Sequence, residues 1–295
     1  MSRDTWNATD ITPQTGRHYI ITGANSGLGL ITARELARAG ATITMAVRNV
    51  DKGKVAAAKI GGDVTVEELD LADLGSIHRF ADRTDHDIDV LINNAGIMFV
   101  PYGKTADGFE RHIGTNHLGH YALTNLLLPR IQEKVVTLSS QAHRRGSINL
   151  EDLQWENRKY SPTGAYGASK LANLLFSLEL QQRLTATGSD IVSLSSHPGY
   201  SATNLQSHSE SRPAELLMKI ANRTVAQPAD MGALPTLFAA TEPLPPASYV
   251  GPNGLYEFRG YPTLVGRSNA ASNLDLAVHL WEKSEELTGI RFPLQ

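Results

Sequence analysis

Tyr166 and Lys170 stand four residues apart in the segment Tyr-Gly-Ala-Ser-Lys. On a helix that spacing puts a phenol and an ammonium one turn apart on the same face. A cation beside a phenol favours the phenolate and draws its pKa down from about 10 towards neutrality. A phenol tuned in this way exchanges a proton with a substrate hydroxyl or carbonyl. The same two residues also describe a surface helix with a tyrosine packed beside a lysine stem, so the pair needs support from elsewhere in the chain. Ser139 and Ser140, which close an apolar run upstream, offer hydroxyl groups for the same chemistry.

A second constellation lies near the N-terminus. The run Thr22-Gly-Ala-Asn-Ser-Gly-Leu-Gly29 follows one apolar run and opens an amphipathic stretch. Glycines at 23, 27 and 29 allow a tight turn and close backbone approach, and a helix start supplies free N–H groups to a pyrophosphate. Gly23, Asn25, Ser26, Gly27, Leu28 and Gly29 are therefore candidate dinucleotide contacts. About twenty residues on, an NAD site places an acidic residue for the ribose 2′-hydroxyl. Here the second apolar run ends in Met45-Ala-Val-Arg-Asn49. Val47 offers no acceptor, whereas the Arg48 guanidinium suits a phosphate. NADP is the expected cofactor, with NAD possible. Asp70 is a candidate acceptor for the adenine amino group, or else a cap for the helix near Leu74. Asn93-Asn-Ala-Gly96 closes a fourth apolar run, and Asn94, Ala95 and Gly96 are expected to border the cofactor. Asn116 falls within a helical pattern, where asparagine is mildly unfavourable and implies a particular partner.

These residues need elements to hold them. His18–Thr22, Thr42–Val47, Val64–Leu69, Val90–Ile92, Val135–Leu138 and Ile191–Leu194 read as strands buried on both faces of a parallel sheet. Leu28–Ala39, Asp51–Lys59, Leu74–Arg83, Asp107–Leu128 and Ala165–Ala186 read as the helices between them. That alternation predicts a doubly wound α/β fold in one domain over residues 1–295. A late strand is expected at Gly254–Phe258 and a terminal helix at Ala270–Leu287. The polar segment at about 200–228, with a short apolar helix near Leu216–Ala221, is expected to serve as a lid.

Composition narrows the field. A net charge of −3, with acids and bases interspersed, gives no footprint for nucleic acid. The absence of cysteine excludes disulfides, thiolate nucleophiles and zinc ribbons. No run of the ~18 apolar residues that spans a bilayer occurs, and the polar N-terminus reads as a cytoplasmic protein without a signal peptide. A serine hydrolase would need a Gly-x-Ser-x-Gly elbow, which is missing. His112, His117 and His120 lack an accompanying glutamate in a metal-ligand spacing and read as helix-packing residues, so no metal is expected.

Taken in order, Thr22–Gly29, Asp70-Leu71, Asn93–Gly96, Asn116, Ser139-Ser140, Tyr166–Lys170 and Pro198-Gly199 resemble the short-chain dehydrogenase/reductase superfamily. The likeness is strong over about residues 15–200 and looser beyond. Thr-Asn-His-Leu-Gly-His120 and Ser-Lys-Leu-Ala-Asn173 are similar to the branch of retinol dehydrogenases, WW-domain oxidoreductases and protochlorophyllide reductases. The chain departs from that branch in having no cysteine, WW domain or membrane anchor, which points away from membrane-bound retinoid turnover and light-driven chlorophyll chemistry. The resemblance implies a Rossmann fold of about seven parallel strands with helices on both faces. It also implies hydride transfer between NADP(H) and a carbonyl or alcohol.

By the same resemblance, Tyr166 is the general acid or base, and Lys170 tunes it and binds the nicotinamide ribose. Ser140, with Ser139 as its rival, stabilises the substrate oxygen, and Asn116 holds a water. Leu71, Pro198, Gly199 and Thr203 are expected against the cofactor. Leu216, Leu217, Ile220, Tyr200, Phe258 and Tyr261 point to an apolar ketone, aldehyde or secondary alcohol as substrate. A homodimer or homotetramer, joined through Asp107–Leu128 and Ala165–Ala186, is the expected assembly. The rival reading is an NADP-binding sensor or scaffold without turnover.

Overall fold

A computed structural model describes residues 5–200 and 227–294. Thr203, Leu216, Leu217, Ile220 and nearly all of the expected lid lie outside the described residues. One eight-stranded sheet organises the rest, in the order β3-β2-β1-β4-β5-β6-β7-β8. The strands are β1 His18–Thr22, β2 Thr42–Val47, β3 Val64–Glu68, β4 Ile88–Asn93, β5 Ile131–Leu138, β6 Val192–Ser196, β7 Tyr249–Pro252 and β8 Pro262–Leu264. Seven run parallel, and only β8 is antiparallel to its neighbour.

β1, β2 and β4 are largely apolar because both faces are covered, whereas β3, at the edge of the sheet, has no buried residue and β6 buries three serines. Tyr19 and Ile21 of β1 face one layer, with Leu28, Ala33 and Leu36 of α1 (Gly27–Arg38). Ile20, between them, faces the other layer with Ile77 and Phe80 of α3 (Leu74–Arg83). α2 (Val50–Ile60) links β2 to β3. The strand order reverses between β1 and β4, both neighbours in register through Tyr19 and Val90. At such a switch point the connections leave in opposite directions and open a crevice beyond the strand ends.

Several elements differ from expectation. The helix expected over Asp107–Leu128 starts later and is interrupted. A single turn, α4 (Arg111–Ile113), leads into a π-turn over Gly114–Leu118 and then α5 (Gly119–Leu127). Asp107 lies before it and instead accepts the Leu74 N–H at 2.9 Å, which caps α3 from another segment. Gly254–Phe258 is not a strand. Leu255–Glu257 form a 3-10 turn in which Tyr256 and Glu257 have φ of 52° and 59°, incompatible with a strand. The final strands flank that turn as β7 and β8.

A further helix, α7 (Ala229–Thr241), forms where its interior Pro235 argues against one. The expected terminal helix Ala270–Leu287 divides into a 3-10 turn at Ala270–Ser272 and α8 (Leu274–Thr288).

α8 bears on the expected assembly. It lies across α5 and α6 (Pro162–Ala186), where Trp281 is almost wholly buried. The Trp281 ring stacks on Phe176 at 5.7 Å and meets Tyr121 edge-on at 4.9 Å. Ser284 takes the hydrogen bond of His117 at 2.8 Å. The face expected to join subunits is thus covered by the chain's own helix, and a second copy approaching it meets α8.

Candidate active site

The crevice at the switch point is a cleft of about 590 Å³. Its floor is the turn after β1. Ser26 occupies the N-cap of α1 without a side-chain hydrogen bond, so the first-turn N–H groups keep their donors for a ligand. Gly29 shows why the turn tolerates no side chain, since a Cβ there would lie 2.8 Å from the Gly23 carbonyl and collide with the Asn94 amide. Thr22 ties this turn to the end of β4. Its Oγ1 accepts the Asn94 and Ala95 N–H groups, each at 2.9 Å, and the Asn94 amide donates to the Thr22 carbonyl at 2.7 Å.

Gly23, Asn25, Ser26, Gly27, Leu28, Gly29, Arg48, Asp70, Leu71, Asn94, Ala95, Gly96, Tyr166, Lys170 and Pro198 all line the cleft. Gly199 sits one residue behind Pro198, where its N–H donates to His197 Nδ1 at 3.2 Å. Asp70 folds onto its own loop, its Oδ1 accepting the Ala72 N–H at 2.9 Å while one edge faces the cleft. It does not cap α3, whose N-cap is Asp73.

Lys52 and Asn49 join Arg48 on the wall and were not foreseen as ligands. Asn49 caps α2 by accepting the Lys52 N–H at 2.9 Å. The signal for Lys52 was its place four residues after Arg48, on the first turn of the next helix. The glycine cradle and the uncapped helix start fit the pyrophosphate of a dinucleotide.

At the other end of the cleft the proton-transfer groups converge. Gly146 makes the approach possible, because a Cβ there would collide with the Gly167 carbonyl beside Tyr166. The loop after β5 therefore presses backbone to backbone on the first turns of α6, and Ser140 faces the Tyr166 phenol. Ser139, the rival, is committed elsewhere, since its buried hydroxyl donates to the Lys170 carbonyl at 2.8 Å. Lys170 Nζ donates to the Leu138 carbonyl at 3.1 Å, and burial lowers its pKa to about 8. Leu138 was not anticipated as a ligand, since a backbone acceptor leaves no trace in residue type.

The expected depression of the Tyr166 pKa does not occur in this arrangement. Burial pushes the phenol upward, and the Ser140 hydroxyl opposes that only in part. Lys170 Nζ lies 5.9 Å from the Tyr166 ring centre, and its own charge is disfavoured by burial. Tyr166 is thus held as the neutral phenol, the proton-donating form.

Asn116 does have the particular partner its mid-helix position implied. From the π-turn its Oδ1 accepts the Ile97 N–H at 2.8 Å, and its Nδ2 donates to the Ile97 carbonyl at 3.0 Å and to Ser169 Oγ at 2.9 Å. The three histidines of the discarded metal reading diverge. His112 meets Glu110, His117 meets Ser284, and His120 bridges Thr22 and the Asn116 carbonyl. Of the expected apolar wall, Tyr261 packs against the core, whereas Phe258 is half-exposed. Phe99, which was not foreseen, meets the Tyr166 ring edge-on at 5.3 Å.

Comparison with known proteins agrees with this geometry. Residues 17–214 match the family model described as short chain dehydrogenase. This chain belongs to the short chain dehydrogenase family. Like its relatives, this short chain dehydrogenase is an NAD(P)-dependent oxidoreductase acting on alcohol or carbonyl groups. It is 44% identical over 290 residues to human retinol dehydrogenase 12, covering 94% of this chain and 88% of that one. With mouse retinol dehydrogenase 12 it is 51% identical over 196 residues, which span 62% of this chain but only 61% of the mouse protein. A crystal structure of an uncharacterised protein from Mycobacterium Paratuberculosis superposes with a TM-score of 0.87 at 54% identity, covering 98% of this chain and 100% of that one. No helix among the described residues is long and apolar enough to cross a membrane.

Proposed function

We propose that the enzyme is NADP(H)-dependent and interconverts a carbonyl and an alcohol on an apolar small molecule, with Tyr166 as the proton-transfer residue. The convergence of Ser140, Tyr166 and Lys170 at one end of a dinucleotide cleft carries this reading. Gly23–Gly29 would hold the pyrophosphate, Arg48 and Lys52 the ribose 2′-phosphate, and Lys170 the nicotinamide ribose. The bound nicotinamide supplies the hydride in reduction and takes it up in oxidation.

The chain's own residues do the rest. Ser140 donates to the substrate oxygen and stabilises the negative charge that builds there, a contribution of about 3 kcal/mol for a donor of this kind. Tyr166, neutral in its buried setting, gives its hydroxyl proton to the same oxygen. In the reverse direction it takes the proton back. Lys170 keeps two donors free beyond its bond to Leu138, enough to hold ribose hydroxyls and to favour the transient phenolate. Asn116 fixes the loop at Ile97 that borders this exchange.

Two supports bear on the finer points. For the cofactor, Arg48 and Lys52 share the cleft wall where an NAD site would need a carboxylate. For the substrate, the relatives named retinol dehydrogenase carry in their name an alcohol with an extended apolar chain.

The decisive experiment follows NADPH oxidation against a panel of aldehydes and ketones, comparing the wild type with Tyr166→Phe. The variant should bind NADPH with unchanged affinity and lose about 10²–10⁴-fold in kcat. Turnover by Tyr166→Phe at the wild-type rate would end the mechanism. Arg48→Asp should weaken NADPH binding by at least about tenfold and bring NADH to parity or better, as expected for loss of a phosphate-pairing guanidinium. Retained NADPH preference in that variant would remove the account of cofactor choice.

A further inference from the structure

Glu110, His112 and Tyr160 form a polar cluster beside the site that the mechanism above does not use. Glu110 and His112 are fully buried, at 0% exposure. His112 Nδ1 lies 2.9 Å from Glu110 Oε1, and the Tyr160 hydroxyl lies 2.9 Å from the same oxygen. The other Glu110 oxygen accepts the Ile113 N–H at 2.9 Å. Burial works against a charged Glu110, but hydrogen bonds from the His112 ring and from backbone N–H groups hold its pKa below the usual range.

The cluster grips one residue of the loop that leaves β4. The Val100 N–H donates to His112 Nε2 at 3.4 Å, and the Tyr160 hydroxyl, whose single proton is shared between Glu110 and the Val100 carbonyl, lies 3.2 Å from that carbonyl. His112 Nδ1 also lies 3.0 Å from the Tyr160 hydroxyl, which closes the cluster. Three residues earlier, Asn116 holds both the N–H and the carbonyl of Ile97.

Phe99 lies between these grips with φ of 55°, a left-handed conformation costly for an aromatic residue. The residue is 39% exposed, and its ring rests edge-on against Tyr166. A buried carboxylate is expensive, and so is a strained aromatic that faces solvent. Here both are spent on one loop, next to the residue that transfers the proton.

We propose that Glu110, His112 and Tyr160 form a positioning clamp that holds Phe99 as the apolar wall beside Tyr166, and that Phe99 thereby selects substrates with an extended apolar chain. This deepens the function proposed above and rests on it. An alcohol or aldehyde carbon presented to Tyr166 places its chain along the Phe99 ring. A short, polar substrate gains nothing from that surface.

The test compares decanal with propanal at saturating NADPH, in the wild type and in Phe99→Ala, Phe99→Leu, Tyr160→Phe and Glu110→Gln. Phe99→Ala should lower the decanal-to-propanal ratio of kcat/KM by about tenfold, chiefly through KM for decanal. Phe99→Leu should restore most of the ratio, and NADPH affinity should stay at the wild-type value in both. Tyr160→Phe should lower the same ratio on its own yet add little in the Phe99→Ala background, as expected when one residue acts through another. Glu110→Gln keeps the shape of the clamp without its charge and should shift the ratio in the same direction by less.

An unchanged ratio in Phe99→Ala overturns the wall. Additive losses from Tyr160→Phe and Phe99→Ala overturn the clamp. Wild-type protein that binds NADPH but reduces neither aldehyde sinks the proposed function instead. In that event, quenching of bound NADPH fluorescence by decanol and propanol decides the inference. A decanol preference lost in Phe99→Ala upholds it, and no preference in the wild type overturns it.

Discussion

Two lysines lie at opposite strand-end edges of the sheet, Lys134 partly buried and Lys170 buried, and β5 runs between them. Lys134, near the start of β5, donates to the Ala240 and Glu242 carbonyls at the end of α7, at 3.2 and 2.8 Å. Lys170 reaches the far end of the same strand and donates to Leu138. Burial lowers both to a pKa of about 8. At Lys134, Arg17 adds to that effect while Glu133 and Glu242 counter it, whereas at Lys170 burial acts alone. A displaced lysine pKa therefore does not mark a reactive centre. What separates the two is the use of their donors. Lys134 spends two on a helix terminus, while Lys170 spends one and faces a cleft with the others.

Substituting each lysine in turn puts that contrast at risk. Lys170→Met should cost about 10²-fold or more in kcat/KM while the thermal midpoint holds or rises. The variant removes a buried charge, and the Leu138 carbonyl keeps its bond from Asn173 at 2.9 Å. Lys134→Met should leave kcat/KM within about twofold and lower stability by ~1–3 kcal/mol, because carbonyls at the α7 terminus lose their donor. Activity loss of similar size in both variants would erase the distinction between the edges. Denaturant titration beside steady-state kinetics reads both quantities.

The pH dependence sharpens the same contrast. Lys170 is charged below about pH 8, so reductive kcat/KM should be flat on the acid side and fall as pH rises through that value. Lys170→Arg, which does not lose its proton in this range, should move the falling limb upward. A limb that stays near 8 in the Arg variant would assign it to another group. Stability should show a smaller effect of opposite sign. The unfolded chain holds protons on both lysines up to about pH 10.5, so between about 8 and 10.5 it binds more protons than the fold. Stability therefore rises with pH in that window, and the rise shrinks in either Met variant.

Much of the cleft was legible in the sequence because its parts are local. A glycine turn between a strand and a helix, a cation where an NAD site needs an acid, and a phenol and ammonium one turn apart each carry their meaning within about eight residues. The parallel core strands were legible for a related reason, since burial on both faces leaves continuous apolar runs. What escaped was nonlocal. Phe99 looks like any apolar residue after β4 until Val100 and Ile97 are seen to be gripped. The downward shift expected for Tyr166 failed because helical spacing sets proximity along the surface, whereas burial sets the energy of charge. Pro235 concealed α7, and the strand expected at Gly254–Phe258 ignored backbone angles that residue types alone do not reveal. The covering of α5 and α6 by α8 depends on a helix about a hundred residues later.

That covering helix has a consequence in mass action. Contacts between subunits are lost on dilution, whereas a contact within one chain keeps the same effective concentration at any protein level. Trp281 reaches Phe176 and Tyr121 without leaving its own polypeptide. The packing behind Tyr166 and Lys170 on α6 is therefore as complete at nanomolar protein as at millimolar, and its melting temperature should not track concentration through this face.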